Sequence, residues 1–160
     1  MADFSHLSQT NEAQMVDVSL KKNTQRIAVV GNSVSVSPNC SLALNQMMLQ
    51  EIITTARIAG VFAAKKTSEI IPMCHAITVA GCDINIEFDQ AEAKFKIQTS
   101  VKTTANTGVE MEAFCASAAA ALTIYDMIKA VDPAAIIGPL LLIEKTGGKN
   151  GVWNRDSSFS

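Results

Sequence analysis

Side chains able to do chemistry gather at a few places along the 160 residues. Met73-Cys74-His75 follows Pro72, Glu110 and Glu112 head a long apolar run, Asp126 and Lys129 stand near its close, and Lys145 and Lys149 flank Gly147-Gly148. Positions at element ends are where a rigid scaffold presents groups to a ligand. Lys145-Thr-Gly-Gly-Lys149 can turn backbone N–H groups and two ammonium ions toward phosphate. The Walker spacing is absent, and a plain glycine turn has the same composition. The other groups also have structural uses. Glu110 completes a Thr107-x-x-Glu110 capping box, Asp126 and Lys129 at i and i+3 can form a solvated pair, and His75 can be a hydrogen-bonded core histidine. Lys65, Lys66 and Arg57 add positive charge on a helical stretch, where solvated charge is the default.

Helix geometry constrains any site that uses both ends of the run. Glu112 and Asp126 are 14 residues apart, which at 3.6 residues per turn puts them within about 40° of one face but roughly 21 Å apart along the axis. One helix cannot bring both to one small substrate. If they share a site, a second copy of the helix must supply one end, as two antiparallel helices at a two-fold interface do. The alanine-rich middle of the run suits that contact.

The elements that position these groups follow from apolar periodicity. Residues 1–25 are polar and weakly periodic and read as a flexible arm; 26–151 read as one domain and 152–160 as a flexible tail. Arg26–Val36 suits a strand, and Pro38 opens a short helical stretch. The segment 51–71 carries apolar residues at helical spacing and stops before Pro72. Residues 77–88 and 91–104 read as two strands, and the polar Asp89-Gln90 link between them suggests a hairpin. The run 111–131 is the longest predicted helix, ending before Pro133. Residues 134–145 read as a last strand, with Pro139 arguing for an edge or a bulge. This order fits an α+β fold, simplest as a ferredoxin-like antiparallel sheet with helices packed on one face.

Composition narrows the function classes. The charge balance of 13 Lys+Arg against 15 Asp+Glu leaves no basic field for nucleic acid or an anionic membrane. The longest apolar stretches read as interrupted by charge or too short to cross a bilayer, and the acidic start lacks an apolar leader segment, so a cytoplasmic location is expected. Cys40, Cys74, Cys82 and Cys115 form no C-x-x-C pair and have only two histidines to join, which argues against structural zinc. They read as reduced, small, buried apolar residues, with Cys74 set apart by its neighbour His75.

Taken together, MVDV (15–18), TARIAG (55–60), AAKKT (63–67), IPMCH (71–75), TGVEMEAF (107–114), ALTIYDMIKAV (121–131) and KTGGKNG (145–151) resemble the MoaC family, the cyclic pyranopterin monophosphate synthases of molybdenum cofactor biosynthesis. The resemblance implies a ferredoxin-like fold and a homohexamer built as a trimer of dimers, with active sites at the dimer interface. It also implies a lyase reaction without cofactor or metal, in which a cyclised dihydro-GTP is rearranged with loss of pyrophosphate. On this resemblance Asp126 and Lys129 are catalytic. Met73, Cys74, His75, Glu110, Met111 and Glu112 contact substrate, and Arg26, Lys65, Lys145 and Lys149 face its triphosphate.

The chain departs from the family pattern at three points. Leu49, in Met48-Leu49-Gln50-Glu51, takes the place of a family catalytic lysine in a loop about two residues shorter. Ala76 replaces a proline after the histidine, and Asn106 replaces a lysine before Thr107-Gly108. Two functions therefore follow from the resemblance and its departures: a working synthase in which another group such as Lys65 or Lys66 compensates for Leu49, or a paralogue that binds nucleotide or pterin without turnover.

Overall fold

A computed structural model describes residues 4–8, 10–149 and 151–156. The chain runs β1 (Thr24–Ser35), α1 (Pro38–Ala43), α2 (Gln46–Lys65), α3 (Thr67–Ile70), β2 (Gly81–Asp89), β3 (Lys94–Ala105), α4 (Glu110–Ile128), β4 (Ile136–Ile137), β5 (Leu141–Thr146) and β6 (Trp153–Asn154). The strands form one sheet in the order β2-β3-β1-β5-β6, with β4 also pairing β1, and every pairing is antiparallel. The connections β1-α2-β2 and β3-α4-β5 each skip one strand and interlock, which is the ferredoxin-like arrangement expected.

Alternation decides which face is covered. Ala28, Val30, Val34, Phe95, Ile97, Val101, Ile84 and Ile86 are buried on one side, whereas Asp83, Asn85, Glu87, Lys96, Gln98 and Lys102 face solvent on the other. A period of two in a half-buried sheet produces this pattern. α2 and α4 cover the apolar side: Ile52, Ala56, Ala116, Ala120, Ala121 and Ile124 join Val34, Ile84, Ile86, Phe95 and Ile97 in one core, and Val109 and Ala113 join Ala28, Val30 and Val101 in a second. By length and composition both helices could cross a bilayer, contrary to the expectation that no stretch is long enough. Here one side of each helix packs on the other helix and on the sheet, while Ile58 and Phe62 of α2 and Leu122 of α4 stay exposed.

Small residues let the two helices approach. A Cβ on Gly60 would lie 2.8 Å from the Ala116 carbonyl oxygen and against the tip of Ile84. Backbone cannot yield as a flexible side chain can, so Gly60→Ala should destabilise by about 1–3 kcal/mol despite its better helix propensity. Chemical denaturation is the check; an unchanged midpoint would mean the helices separate at no cost.

Several boundaries differ from the sequence reading. Met47, Met48 and Leu49 belong to the start of α2, because the Asn45 side chain caps that helix by accepting the Met48 N–H at 3.0 Å. The capping box does not form: Val109 is the N-cap of α4 and no side chain caps it. Glu110 reaches elsewhere. The last strand is split by Gly138-Pro139, so that β4 pairs Val34 and Ser35 while β5 pairs residues 27–31 of β1. Trp153–Asn154, in the stretch read as a tail, form β6 against β5. Of the described cysteines all four are free; Cys40 is buried, but Cys74, Cys82 and Cys115 are only half-buried.

Candidate active site

The joint between the head of α4, the start of β1 and the end of β5 encloses a cleft of about 510 Å³. Three pieces distant in sequence meet there because β1 is central and pairs both β3, which leads into α4, and β5. Arg26 enters from β1; Met73, Cys74 and His75 enter from the turn after α3; Glu110, Met111 and Glu112 from the head of α4; Lys145 and Lys149 from the end of β5 and its glycine turn. Nine of the ten substrate contacts expected from the sequence thus line one space.

Gly147 and Gly148 shape the wall around Arg26. Their φ angles are +95° and +76°, a region that favours glycine. A Cβ on Gly148 would strike the Arg26 guanidinium, and one on Gly147 the Gln25 carbonyl oxygen. The turn therefore wraps arginine rather than ending idly. Within this wrap the Arg26 Nε is buried without a hydrogen-bond partner, a donor that a bound anion can satisfy.

Charge in the cleft is uneven. Lys21, Arg26, Lys145 and Lys149 face Glu110 and Glu112. Lys145 Nζ donates to Glu110 Oε1 at 3.0 Å, tying the end of β5 to the head of α4. Glu110 is thus an ion-pair partner, not a cap. Glu112 is 4% exposed, and burial, reinforced by the nearby Glu110 charge, pushes its carboxyl above the usual range against the pull of a backbone N–H. Burial and the Glu112 charge also raise the Cys74 thiol, and both act on Cys115, against a hydrogen bond with Thr67. These thiols stay protonated, which is poor preparation for a nucleophile.

The raised Glu112 gives stability a pH dependence. The folded state favours its neutral form, so the contribution is fully present below the ordinary value of 4.5 and is lost as pH rises through the raised folded value. Glu112→Gln should therefore gain thermal stability relative to the parent as pH increases above about 4.5 and lose that advantage at lower pH. Parallel melting curves from acidic to neutral pH test this; a constant offset would count against it.

Asp126 and Lys129 lie outside the cleft, at the far end of α4. Lys129 Nζ donates to Asp126 Oδ1 at 2.6 Å, with side chains 56% and 70% exposed. Asp126 holds the Lys129 ammonium above its ordinary range, opposite to what a general base requires. An acid in the last turn also opposes the helix dipole, so helix stability gives Asp126 no reason to be there. Glu112 is buried while Asp126 is exposed, so packing modifies the shared face inferred from spacing. Lys65 is exposed at the end of α2 and does not line the cleft. Lys66 pairs with Glu69 at 2.6 Å. Leu49 is 16 residues earlier on the same helix as Lys65, roughly 24 Å away, and packs against the core. Neither lysine can replace it within one chain.

His6, Val18, Lys21, Asn106 and Trp153 also line the cleft and were not singled out as site residues. The arm that carries His6 and Lys21 has no periodicity to mark it. The one available signal was that it holds one of only two histidines.

An antiparallel α+β sheet whose cleft carries more cation than carboxylate is the kind of protein that takes a compact anionic ligand. The chain belongs to the MoaC family, whose model matches residues 15–148. It is 45% identical over 161 residues to a cyclic pyranopterin monophosphate synthase from Bacillus mycoides, covering 98% of this chain and 100% of that protein. Similar relatives of the same name come from Bacillus cereus, at 44% identity and the same coverage, and from Halalkalibacterium halodurans, at 44% identity over 99% of this chain and 98% of that one.

Proposed function

We propose that this protein is a cyclic pyranopterin monophosphate synthase, a lyase of molybdenum cofactor biosynthesis that converts 3',8-cyclo-7,8-dihydro-GTP to cyclic pyranopterin monophosphate and pyrophosphate. One observation carries the reading: a single cleft gathers Arg26, His75, Glu110, Glu112, Lys145 and Lys149 from four separate segments, within a chain of this family. The cations hold the triphosphate and stabilise charge on the departing pyrophosphate. The buried Glu112, whose carboxyl favours its protonated form, can give and take protons during ring opening and closure. The alternative of a paralogue without turnover has no comparison in its favour.

The working site is completed by a second copy. Met111, Cys115, Ala118 and Leu122 follow helical spacing along the partly or fully exposed side of α4, between the cleft at one end and Asp126 with Lys129 at the other. Pairing two such stripes antiparallel brings the Asp126–Lys129 pair of one chain to the cleft of its partner. There the cations of the partner's cleft oppose the hold of Asp126 on the Lys129 ammonium, which favours proton transfer from it. The assembly is a homohexamer, a trimer of these dimers, working in the cytoplasm on a small-molecule substrate without nucleic acid or membrane. The first test is pyrophosphate release and pterin formation from enzymatically prepared cyclised dihydro-GTP, with mass measured by sedimentation. Binding without product, or a strictly monomeric species near 17.0 kDa, would overturn the reading.

A further inference from the structure

Both of the chain's histidines line the same cleft, although they are 69 residues apart. His75 arrives on the turn after α3. His6 arrives on the N-terminal stretch, which folds back on itself through a Leu7–Ala13 bridge. Gln14 N–H donates to the His6 carbonyl at 3.0 Å, and Ser8 N–H to the Glu12 carbonyl at 2.8 Å. The His6 ring Nδ1 lies 3.3 Å from the Gln14 carbonyl oxygen. A carbonyl only accepts, so this contact places the proton on Nδ1 and leaves Nε2 for another partner.

The stretch that follows is fastened to the cleft rim. Val18 is 9% exposed, and its carbonyl oxygen accepts two hydrogen bonds, from Lys21 N–H at 3.0 Å and from Asn106 Nδ2 at 3.0 Å. Asn106 stands four residues before the helix that carries Glu110. Through it, the stretch that ends in Lys21 is tied to the segment leading into α4, and His6 and Lys21 line the same cleft as Arg26, Lys145 and Lys149.

We infer that the N-terminal hairpin is a working wall of the cleft: His6, with Lys21, contacts the phosphate oxygens of the bound molecule, and Asn106 is a positioning residue that sets their distance from the remaining cations. Phosphate is favoured over an uncharged part of the ligand because the lining cations outnumber the carboxylates, and a His6 ring carrying protons on both nitrogens beside phosphate donates from Nε2 while Nδ1–H stays on the Gln14 carbonyl. The inference rests on the proposed function only in taking the ligand to be a phosphate ester.

Calorimetric titration with inorganic pyrophosphate, on the full-length protein, tests it without requiring turnover. His6→Ala should weaken pyrophosphate binding about tenfold, with an unchanged melting temperature because the hairpin lies outside the core. Asn106→Ala should weaken it similarly and accelerate amide hydrogen exchange in residues 10–21, a readout that local structure elsewhere does not move; where turnover is measurable, it should raise KM more than it lowers kcat. Lys22→Ala, exposed and outside the cleft lining, should bind as the parent does. Parent-like pyrophosphate binding in His6→Ala, or no binding by the parent protein, would overturn the inference. His6-dependent binding in a protein that releases no pterin product would sustain it while removing the proposed function.

Discussion

Lys129→Ala is expected to lose pyrophosphate-releasing turnover by about 10²- to 10⁴-fold, the usual worth of one positioned acid–base group. Asp126→Ala should show a comparable loss. The melting temperature of both variants should match the parent, because the pair is exposed and its only described side-chain bond is internal, at 2.6 Å. Steady-state rates beside thermal melts and sedimentation make the comparison. If either variant loses its assembly along with its activity, the pair is structural and belongs to the interface alone. If turnover survives in both, the far end of α4 takes no part in the chemistry. The prediction follows from an oddity of the single chain: a lysine kept protonated by its neighbour and pointing into solvent is poorly set for proton transfer until other cations approach it.

The second large effect should appear on mixing two inactive proteins. Glu112→Gln disables the cleft end of α4 and Lys129→Ala the other end. If each site draws one end from each of two chains, a mixed dimer holds one doubly defective site and one intact site. With random exchange of subunits, half the dimers are mixed, so about one quarter of all sites should recover. Activity restored to roughly that fraction after mild dissociation and reassembly is the expected result. No recovery, with exchange shown by mass, would place both groups within one chain's site. The helix geometry forbids that arrangement for a small ligand, since Glu112 and Asp126 are separated by roughly 21 Å along the axis. Complementation therefore tests the two-chain site separately from the identity of its catalytic residues.

Much of the scaffold was legible in local pattern. Apolar periodicity marked 26–36 and 91–104 as strands and 51–71 and 111–131 as helices, and the structure has β1, β3, α2 and α4 over those stretches. Those signals are local because side-chain direction repeats with the backbone period. The residues at element ends, among them His75, Glu112, Lys145 and Lys149, were identifiable by type and by family resemblance. Their grouping was not, since nothing within a few residues of Arg26 says that the turn at 147–148 will wrap it.

Tertiary structure decided the rest. Strand order set β5 beside β1, which turned Glu110 from an expected cap into the partner of Lys145. The same order closed the cleft around Arg26 and left Lys65 outside it. The N-terminal stretch, polar and aperiodic, acquired a position through tertiary contacts such as that of the Val18 carbonyl with the Asn106 amide, which spans 88 residues. Sequence by itself determined which segments could be strands and helices and which side chains could carry charge or protons, because those properties belong to short stretches. Which of those side chains share a cleft depended on pairings between distant strands, whose energies arise from burial and hydrogen bonds that no single segment contains.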